Sequence, residues 1–534
     1  MRRWNGWGDE RQDYPLKPTA RQFLQERLGE ATPLPDATLS SVLAKVLDSR
    51  MPEHPLISID NELRVRHARG QSLPDWLAMR SGRFEVFPDG VACPQSNAEV
   101  RELLRFAQEQ GIHVIPYGGG TSVVGHINPR ASKSPVLTLS LARMNSLLAL
   151  DRESQIATFG AGTPGPDVEA QLNAEGYTLG HFPQSWELST IGGWVASRSS
   201  GQQSLRYGRI EQLFAGGHIE TLHGSLEIPT LPASSAGPDL RELIMGSEGR
   251  LGIITEVKVR VSRLPEQESF HVAFFPAWDR ALAAVREIAQ QKVPLSMVRL
   301  SNPDETFTQL QLAGHPIAIR ALDAMLSLRG AGEHKCMMTF GVTGSKDSCR
   351  LVLAQALRIL KRYRGVNTGT LLGNKWQENR FRSPYLRHGL WTAGYAVDTL
   401  ETCVDWPQVT PLMLAIEAAL REGLQDESEA VHVFTHLSHI YAQGSSIYTT
   451  YLFRCADSYE QTLARWQKLK AAACAEIVRH GGTISHQHGV GADHAPYLSA
   501  EKGELGMAAL RSLCQHFDPG GMLNPGKLLE DRQS

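Results

Sequence analysis

The chain has 534 residues, 42% of them hydrophobic and 21% charged, with a formal net charge of −2. That length is enough for two or three domains with large cores, and the near-neutral balance excludes the electrostatic footprint of a nucleic-acid or acidic-surface binder. No apolar run approaches the roughly 18 residues of a membrane span.

Residues 1–85 read as a helical, arginine-rich lead-in. Within it, Trp4-Asn5-Gly6-Trp7-Gly8 sets two tryptophans among small residues ahead of any core, the pattern of a terminal segment pinned by aromatic anchors. From residue 86 the pattern turns α/β. Gly90-Val91-Ala92-Cys93 is a short strand. Ser96 and Glu99 have capping-box spacing, Val100, Leu103, Leu104 and Ala107 follow at helical spacing, and Gly111 closes the helix. His113-Val114-Ile115 then reads as a buried strand running into PYGGGTSVVG at 116–125. Three consecutive glycines let that loop turn sharply and approach a ligand with no Cβ in the way. Successive N–H groups in such a turn form a concavity suited to a pyrophosphate. A dinucleotide fingerprint starting at Gly118 requires glycine where Val123 stands, and a P-loop requires Gly-Lys-Ser/Thr, so neither is present. Taken alone, the loop reads first as a tight turn.

Two further glycine-rich segments follow, HFPQSWELSTIGGWVASRSSGQQSLRYG at 181–208 and MGSEGRLGIITE at 245–256, the second leading into an alternating strand, Val257 to Val261. Three such loops, rich in backbone and hydroxyl donors, point to a long, many-contact cofactor such as FAD. Pro265 and the residues after it mark a linker. The region from 265 to about 430 is mixed helix and strand, the character of a substrate or cap domain. Its Arg299 and Arg387 each read as an apolar-stemmed arginine paired to a carboxylate, or as a guanidinium fork for a phosphate or carboxylate.

His436-Leu437-Ser438-His439 reads as strand, which points its histidines to opposite faces and makes them a poor metal grip. Tyr448 and Tyr451 lie in a second strand. A long helix over Ser458–His480 ends at Gly481-Gly482. In Ser485-His486-Gln487-His488-Gly489-Val490-Gly491, two histidines flanked by glycines read as open to a site rather than as core, and no carboxylate or cysteine nearby in sequence completes a metal set. A turn-rich segment, 518–528, closes the chain. The N-terminus has no apolar signal core, the C-terminus LLEDRQS is not a Ser-Lys-Leu address, and the seven cysteines are odd in number without paired spacing. The expectation is a cytoplasmic protein with no metal site, free thiols and no nucleic-acid partner. Peripheral membrane contact and homodimerisation stay open.

Together these pieces resemble FAD enzymes of the vanillyl-alcohol oxidase type, and among them the alkyldihydroxyacetonephosphate (alkylglycerone-phosphate) synthases of ether-lipid synthesis. The likeness runs from Trp4 to Leu528 through RWNGWG at 3–8, PYGGGTSVVG, SWELSTIGGW at 185–194, IMGSEGRLGIITE at 244–256, GSSIY at 444–448 and SHQHGVG at 485–491. RWNGWG is the most specific, and under this likeness it is more than a pinned terminus. The resemblance implies an α+β protein. It would have a helical N-terminal segment (1–85), a PCMH-type FAD-binding domain of two α/β subdomains (86–264), an α+β cap or substrate domain (265–480), and a C-terminal segment returning to the flavin site (481–534). It implies noncovalent FAD held by Pro116, Tyr117, Gly118, Gly119, Gly120, Thr121 and Ser122; by Gln184, Ser185, Trp186, Glu187, Leu188, Ser189 and Thr190; by Ser197, Arg198, Ser199 and Ser200; and by Glu248, Gly249, Arg250, Leu251, Gly252, Ile253 and Ile254. Arg387, fifteen residues before Thr402, falls on the family's substrate-phosphate arginine. Tyr448 falls on its acid/base tyrosine, His486 and His488 on the first and third of three motif histidines, and Arg299 on another active-site arginine. In that family flavin N5 captures dihydroxyacetone phosphate from its acyl ester, and a fatty alcohol replaces the departing acid with no net redox. The substrate would be a small molecule or lipid.

The chain departs from the family at Gln487, where the middle histidine stands, and in the His436–His439 run. That run lies where FAD-dependent D-2-hydroxyacid dehydrogenases carry a metal histidine with a second one seven residues on. Here Ser446 occupies the second position, and Gln487 stands where those enzymes have glutamate, which disfavours a metal-assisted dehydrogenase. The alternative to the transferase is a metal-free FAD oxidoreductase acting on an alcohol or 2-hydroxy acid.

Overall fold

A computed structural model describes residues 2–312 and 316–530; residues 531–534, part of the C-terminal LLEDRQS reading, lie outside them. The strand His113–Tyr117 leads into the first glycine loop and is the edge of a four-stranded sheet. It pairs in parallel with Val136–Ser140, which pairs in parallel with Gly90–Ala92, and Ile57–Ser58 closes the far edge antiparallel. The helix Asn97–Gln110 connects two of these strands, burying Val100, Leu103, Leu104 and Ala107 as its periodicity predicts. Ser96 accepts from the Glu99 N–H at 3.2 Å, but the Glu99 carboxylate reaches the Gln95 N–H at 2.7 Å instead of that of Ser96, so half of the capping box forms.

A second sheet has five antiparallel strands in the order Leu147–Asp151, Ile156–Gly160, Ile253–Arg260, Phe214–Thr221, Gly224–Ile228. Its central strand follows the predicted alternation, with Val257 and Val259 fully buried and Lys258 and Arg260 half-buried. Past Pro265 the strand Gln267–Phe275 enters a seven-stranded antiparallel sheet. The order is Val366–Asn367, Gln267–Phe275, Cys336–Gly344, Met297–Ser301, His432–Leu437, Gly444–Arg454, Tyr395–Asp405.

The N-terminal segment carries the helices Pro18–Leu28, Leu39–Leu43, Asn61–Arg66 and Leu73–Ser81. Its tryptophans do more than anchor a terminus. Trp7 is buried in the core beneath the seven-stranded sheet with Trp76 and Tyr385, and the Arg3 N–H donates to the Gly8 carbonyl at 2.8 Å to close the turn. The chain's end returns to the first sheet. Leu523 bridges in parallel to Val114, and the Asn524 N–H donates to the Val114 carbonyl at 2.8 Å.

Candidate active site

The three glycine-rich loops, one face of the seven-stranded sheet and the N-terminal helix Pro18–Leu28 line a single cavity of about 930 Å³. Its roof is backbone. Among the described residues no carbonyl or side chain accepts from the N–H groups of 118–122, so a row of donors faces the cavity unpaired. A Cβ on Gly119 would sit 1.7 Å from the Leu188 carbonyl oxygen, so only glycine lets the first loop lie against the second. Unpaired amides on a glycine turn are what a pyrophosphate requires. Gln184, Ser185, Ser189, Thr190, Ser197, Ser199, Glu248, Gly249, Gly252 and Ile254 continue the lining. The residues present therefore fit FAD.

Eight predicted cofactor residues do not line the cavity. Leu251 and Ile253 are core, and Ser200 is buried behind the loop. Arg198 turns outward to Glu211 and Glu242, at 3.3 and 3.1 Å. Arg250 donates to the Asn524 carbonyl at 3.1 Å. Trp186 stacks on Phe381, Glu187 lies beside the Tyr385 hydroxyl, and Leu188 backs Gly119 with its carbonyl. Even Glu248, which does line the cavity, spends its carboxylate on the Val490 and Gly491 N–H groups at 2.6 and 2.8 Å, clasping the histidine loop to the cradle.

The floor is side chains from three paired strands. Register sets Val397, Leu452 and His432 in one row, Thr399, Thr450 and Phe434 in the next, and Tyr448 opposite His436 in the third; all of these line the cavity. Because strand side chains alternate between faces, each row lies two residues, about 7 Å, beyond the last. Leu16, Phe23, Leu24, Leu312 and Leu390 gather around the first rows and make that end an apolar lobe. Tyr451 points to the opposite face, fully buried with its hydroxyl 3.2 Å from Asp398.

The third row is the polar centre. The Tyr448 hydroxyl donates to Gln184 Oε1 at 3.3 Å, and its ring stacks on His436 with centroids 4.7 Å apart and meets His488 edge-on at 6.0 Å. Burial pushes the Tyr448 phenol up to about 12, so it rests protonated and is a donor before it is a base. Arg299 donates to Glu305 at 2.5 Å. Burial alone would raise the Glu305 carboxyl, but His436 and Arg299 outweigh it and hold it at about 2. Burial keeps His488 below the ordinary histidine value, hence neutral. Arg387 lines the cavity with its fork braced by the carbonyls of Gln71 and Val397, by Asp398 at 3.3 Å, and by the Trp76 ring 5.5 Å away.

His486 lies elsewhere. It does not line the cavity and is only 6% exposed, which corrects the expectation that both motif histidines open to the site. Its Nδ1 is 3.2 Å from Glu401, and its Nε2 is 2.7 Å from the Tyr441 hydroxyl and 2.8 Å from Arg209 Nη1. His439 joins the same cluster, its Nδ1 3.3 Å from Glu401. The predicted strand ends at Leu437, so His439 sits in the bend beyond it and its direction is not set by strand alternation. Glu401 is the carboxylate that sequence proximity did not supply, and the ligand atoms of Glu401, His439 and His486 lie within 4.8 Å of one another. Arg209 can only donate, so its bond to Nε2 sets the His486 proton on Nδ1, facing Glu401, where a cation would need a free lone pair. Burial opposes ionisation of Glu401, yet the imidazoles draw its pKa well below the carboxylate range; burial presses His486 down to about 4.

Comparison with known proteins agrees with this geometry. Residues 88–227 match the FAD binding domain, and residues 264–528 match the C-terminal domain of FAD linked oxidases. An alkyldihydroxyacetonephosphate synthase of Dictyostelium discoideum is 30% identical over 99% of this chain and 93% of its own. A solved alkyldihydroxyacetonephosphate synthase superposes with a TM-score of 0.84 at 27% identity, covering 98% of both chains. A p-cresol methylhydroxylase, at 12% identity and TM-score 0.68 over 97% of this chain and 98% of its own, shares the fold. The glycine cradle and the two matched domains make the chain an FAD-dependent enzyme of the PCMH, vanillyl-alcohol-oxidase-like type. It belongs to the alkyldihydroxyacetonephosphate synthase family.

Proposed function

We propose that the protein exchanges the acyl group of acyl-dihydroxyacetone phosphate for a fatty alcohol, with no net redox. The observation that carries this reading is the continuity of one cavity from the glycine cradle, past Arg299, Tyr448 and Arg387, into the apolar lobe. An oxidase of small alcohols or hydroxy acids has no use for that lobe, whereas both the departing acid and the incoming alcohol carry long apolar chains. When bound, noncovalently, FAD would supply the electrophilic and nucleophilic ring chemistry of the exchange, and residues 116–122 with Gln184, Ser185, Ser189, Thr190, Ser197, Ser199, Glu248, Gly249, Gly252 and Ile254 would hold it. Arg387, braced on Gln71, Val397 and Asp398, presents a planar cation to the phosphate. Arg299 faces the developing carbonyl charge, and protonated Tyr448 shuttles the proton beside the carbonyl with neutral His488 at its edge. His486 acts from behind, fixing the loop that carries His488.

Lipid substrates need an entry. Leu386 and Phe307 are 44% and 43% exposed near the apolar lobe, with Arg27 over the Phe307 ring and Lys17 lining the cavity. This rim suits peripheral contact with an anionic bilayer. Among the described residues no helix is long and apolar enough to cross one.

The test is product analysis of the FAD-loaded protein given palmitoyl-dihydroxyacetone phosphate and isotope-labelled hexadecanol, anaerobically and with no electron acceptor. Labelled ether with stoichiometric palmitate is expected. Flavin bleaching by an alcohol or hydroxy acid, without ether, would replace the transferase reading with an oxidoreductase.

A further inference from the structure

The turn that carries RWNGWG packs into the core through Trp7, and it also reaches the cofactor cradle. Residues 2–9 close on themselves: Arg2 and Asp9 bridge antiparallel, and the Arg3 N–H donates to the Gly8 carbonyl at 2.8 Å. Three neighbours fix where the turn lies. Arg66 Nη1 donates to the Arg2 carbonyl at 2.8 Å, and Gln71 Nε2 donates to the Gly6 carbonyl at 3.3 Å. A Cβ on Gly8 would lie 2.3 Å from Tyr385 Cε1, so the turn sits hard against that ring. With its backbone held in this way, Arg2 extends its side chain to the first glycine loop. A Cβ built on Gly120 would lie 3.1 Å from Arg2 Nη2, and Gly120 itself lines the cavity.

The cradle's own loops bring no cation. Among the described residues no lysine or arginine of the three glycine-rich loops lines the cavity. Arg198 is engaged by Glu211 and Glu242, and Arg250 donates to the Asn524 carbonyl. The unpaired N–H groups of 118–122 are dipoles, whereas the diphosphate of FAD is doubly negative, and a buried anion is costly without an opposing charge. Two neighbours of the loop are unsuited to supply it. Glu62 takes the Arg66 guanidinium at 2.7 Å. His67, its ring centroid 4.6 Å from that of Tyr117, is held at about 4 by burial, with Arg2 and Arg66 adding to the effect, so it is neutral. Arg2 differs from both. Among the described residues no carboxylate and no hydrogen-bond acceptor takes its guanidinium, and Asp9 across the turn is engaged by Arg11 at 2.9 Å.

We infer that Arg2, set against the glycine loop by the N-terminal turn, supplies the positive charge for the FAD diphosphate. Its guanidinium does not line the cavity. It acts from behind Gly120, whose missing side chain lets the charge approach the loop backbone. Arg2 is thus a positioning residue for the cofactor, and the inference holds whether the enzyme transfers acyl groups or oxidises alcohols.

The test is titration of the full-length apoprotein with FAD, ADP and riboflavin separately. Arg2→Gln should weaken FAD and ADP about tenfold, the scale of one charge-assisted contact, and leave riboflavin, which has no phosphate, unchanged. Because the guanidinium acts here as a charge and not as a bidentate fork, Arg2→Lys should recover most of the loss. Apoprotein melting temperatures should agree among the three proteins. Where apoprotein does not survive flavin removal, the rate of FAD release from the holoprotein replaces Kd, and Arg2→Gln should release it about tenfold faster. Unchanged FAD affinity or release in Arg2→Gln overturns the inference. Equal weakening of riboflavin, a loss that Arg2→Lys fails to recover, or a loss that tracks a fall in apoprotein melting temperature overturns it too, by making the turn a structural support only.

Discussion

The cradle and the floor face each other across one cavity and are made by opposite means. The cradle is backbone: unpaired N–H groups at 118–122 on a loop that tolerates no Cβ at Gly119. The floor is side chains, brought together by register between strands that begin at residues 395, 432 and 444. A backbone cradle has few alternatives, since any side chain added at its tight points collides. A side-chain floor keeps its strands while individual residues change, and that is where this chain departs from its family, with Gln487 in the histidine loop and His436 on the floor.

Substitutions on either side sharpen or break that contrast. Tyr448→Phe should cost on the order of 10³-fold in kcat, the scale of a lost acid/base group, with flavin affinity unchanged. Weakened flavin binding in that variant would mean the floor also builds the cradle. Gly119→Ala should act the other way. Forcing a methyl into a packed contact costs about 1–3 kcal/mol, so FAD titration of the apoprotein should show affinity reduced by roughly 5- to 150-fold. Arg387→Ala should raise KM for the phosphorylated substrate about tenfold or more while kcat moves less, which initial-rate kinetics will separate.

The smallest effect concerns pH. His486 is held at about 4 by burial, below its ordinary 6.5. Between those values the unfolded chain binds the proton and the folded one does not. Stability is therefore complete above the unfolded pKa and falls as pH drops toward 4, by on the order of 1–3 kcal/mol for one buried imidazole. His432, also held at about 4 by burial, adds to the same slope. Melting temperatures from pH 7 to 4 should fall accordingly, and His486→Gln should flatten part of the slope. An unchanged profile would mean His486 is not buried as described.

What the sequence made legible follows the same division. The glycine loops, the helix 97–110 and the alternating strand near 257 are local patterns, and their physics acts over a few residues. Tyr448, Arg299, Arg387 and His488 were reachable through family motifs, and they do converge on the cavity. Glu305, Glu401, Tyr441 and Arg209 have no local signature. Glu401 meets His439 and His486 only because three distant segments fold onto one sheet end. His439 was misread by extending a strand past Leu437, where no side-chain pattern marks the stop. His486 looked exposed because glycines flank its loop, but Gly489 lets that loop pack closely against His126 and Glu248, and Gly491 against Val124.

In the proposed reaction the apolar lobe over Phe434 and Leu452 belongs to the substrate path. The most direct measurement is the rate of ether formation across alcohols of increasing chain length, for wild type and Leu452→Trp. A filled lobe should move the optimum to shorter alcohols while short-chain rates survive. A uniform fall at every length, or an unchanged profile, would contradict it.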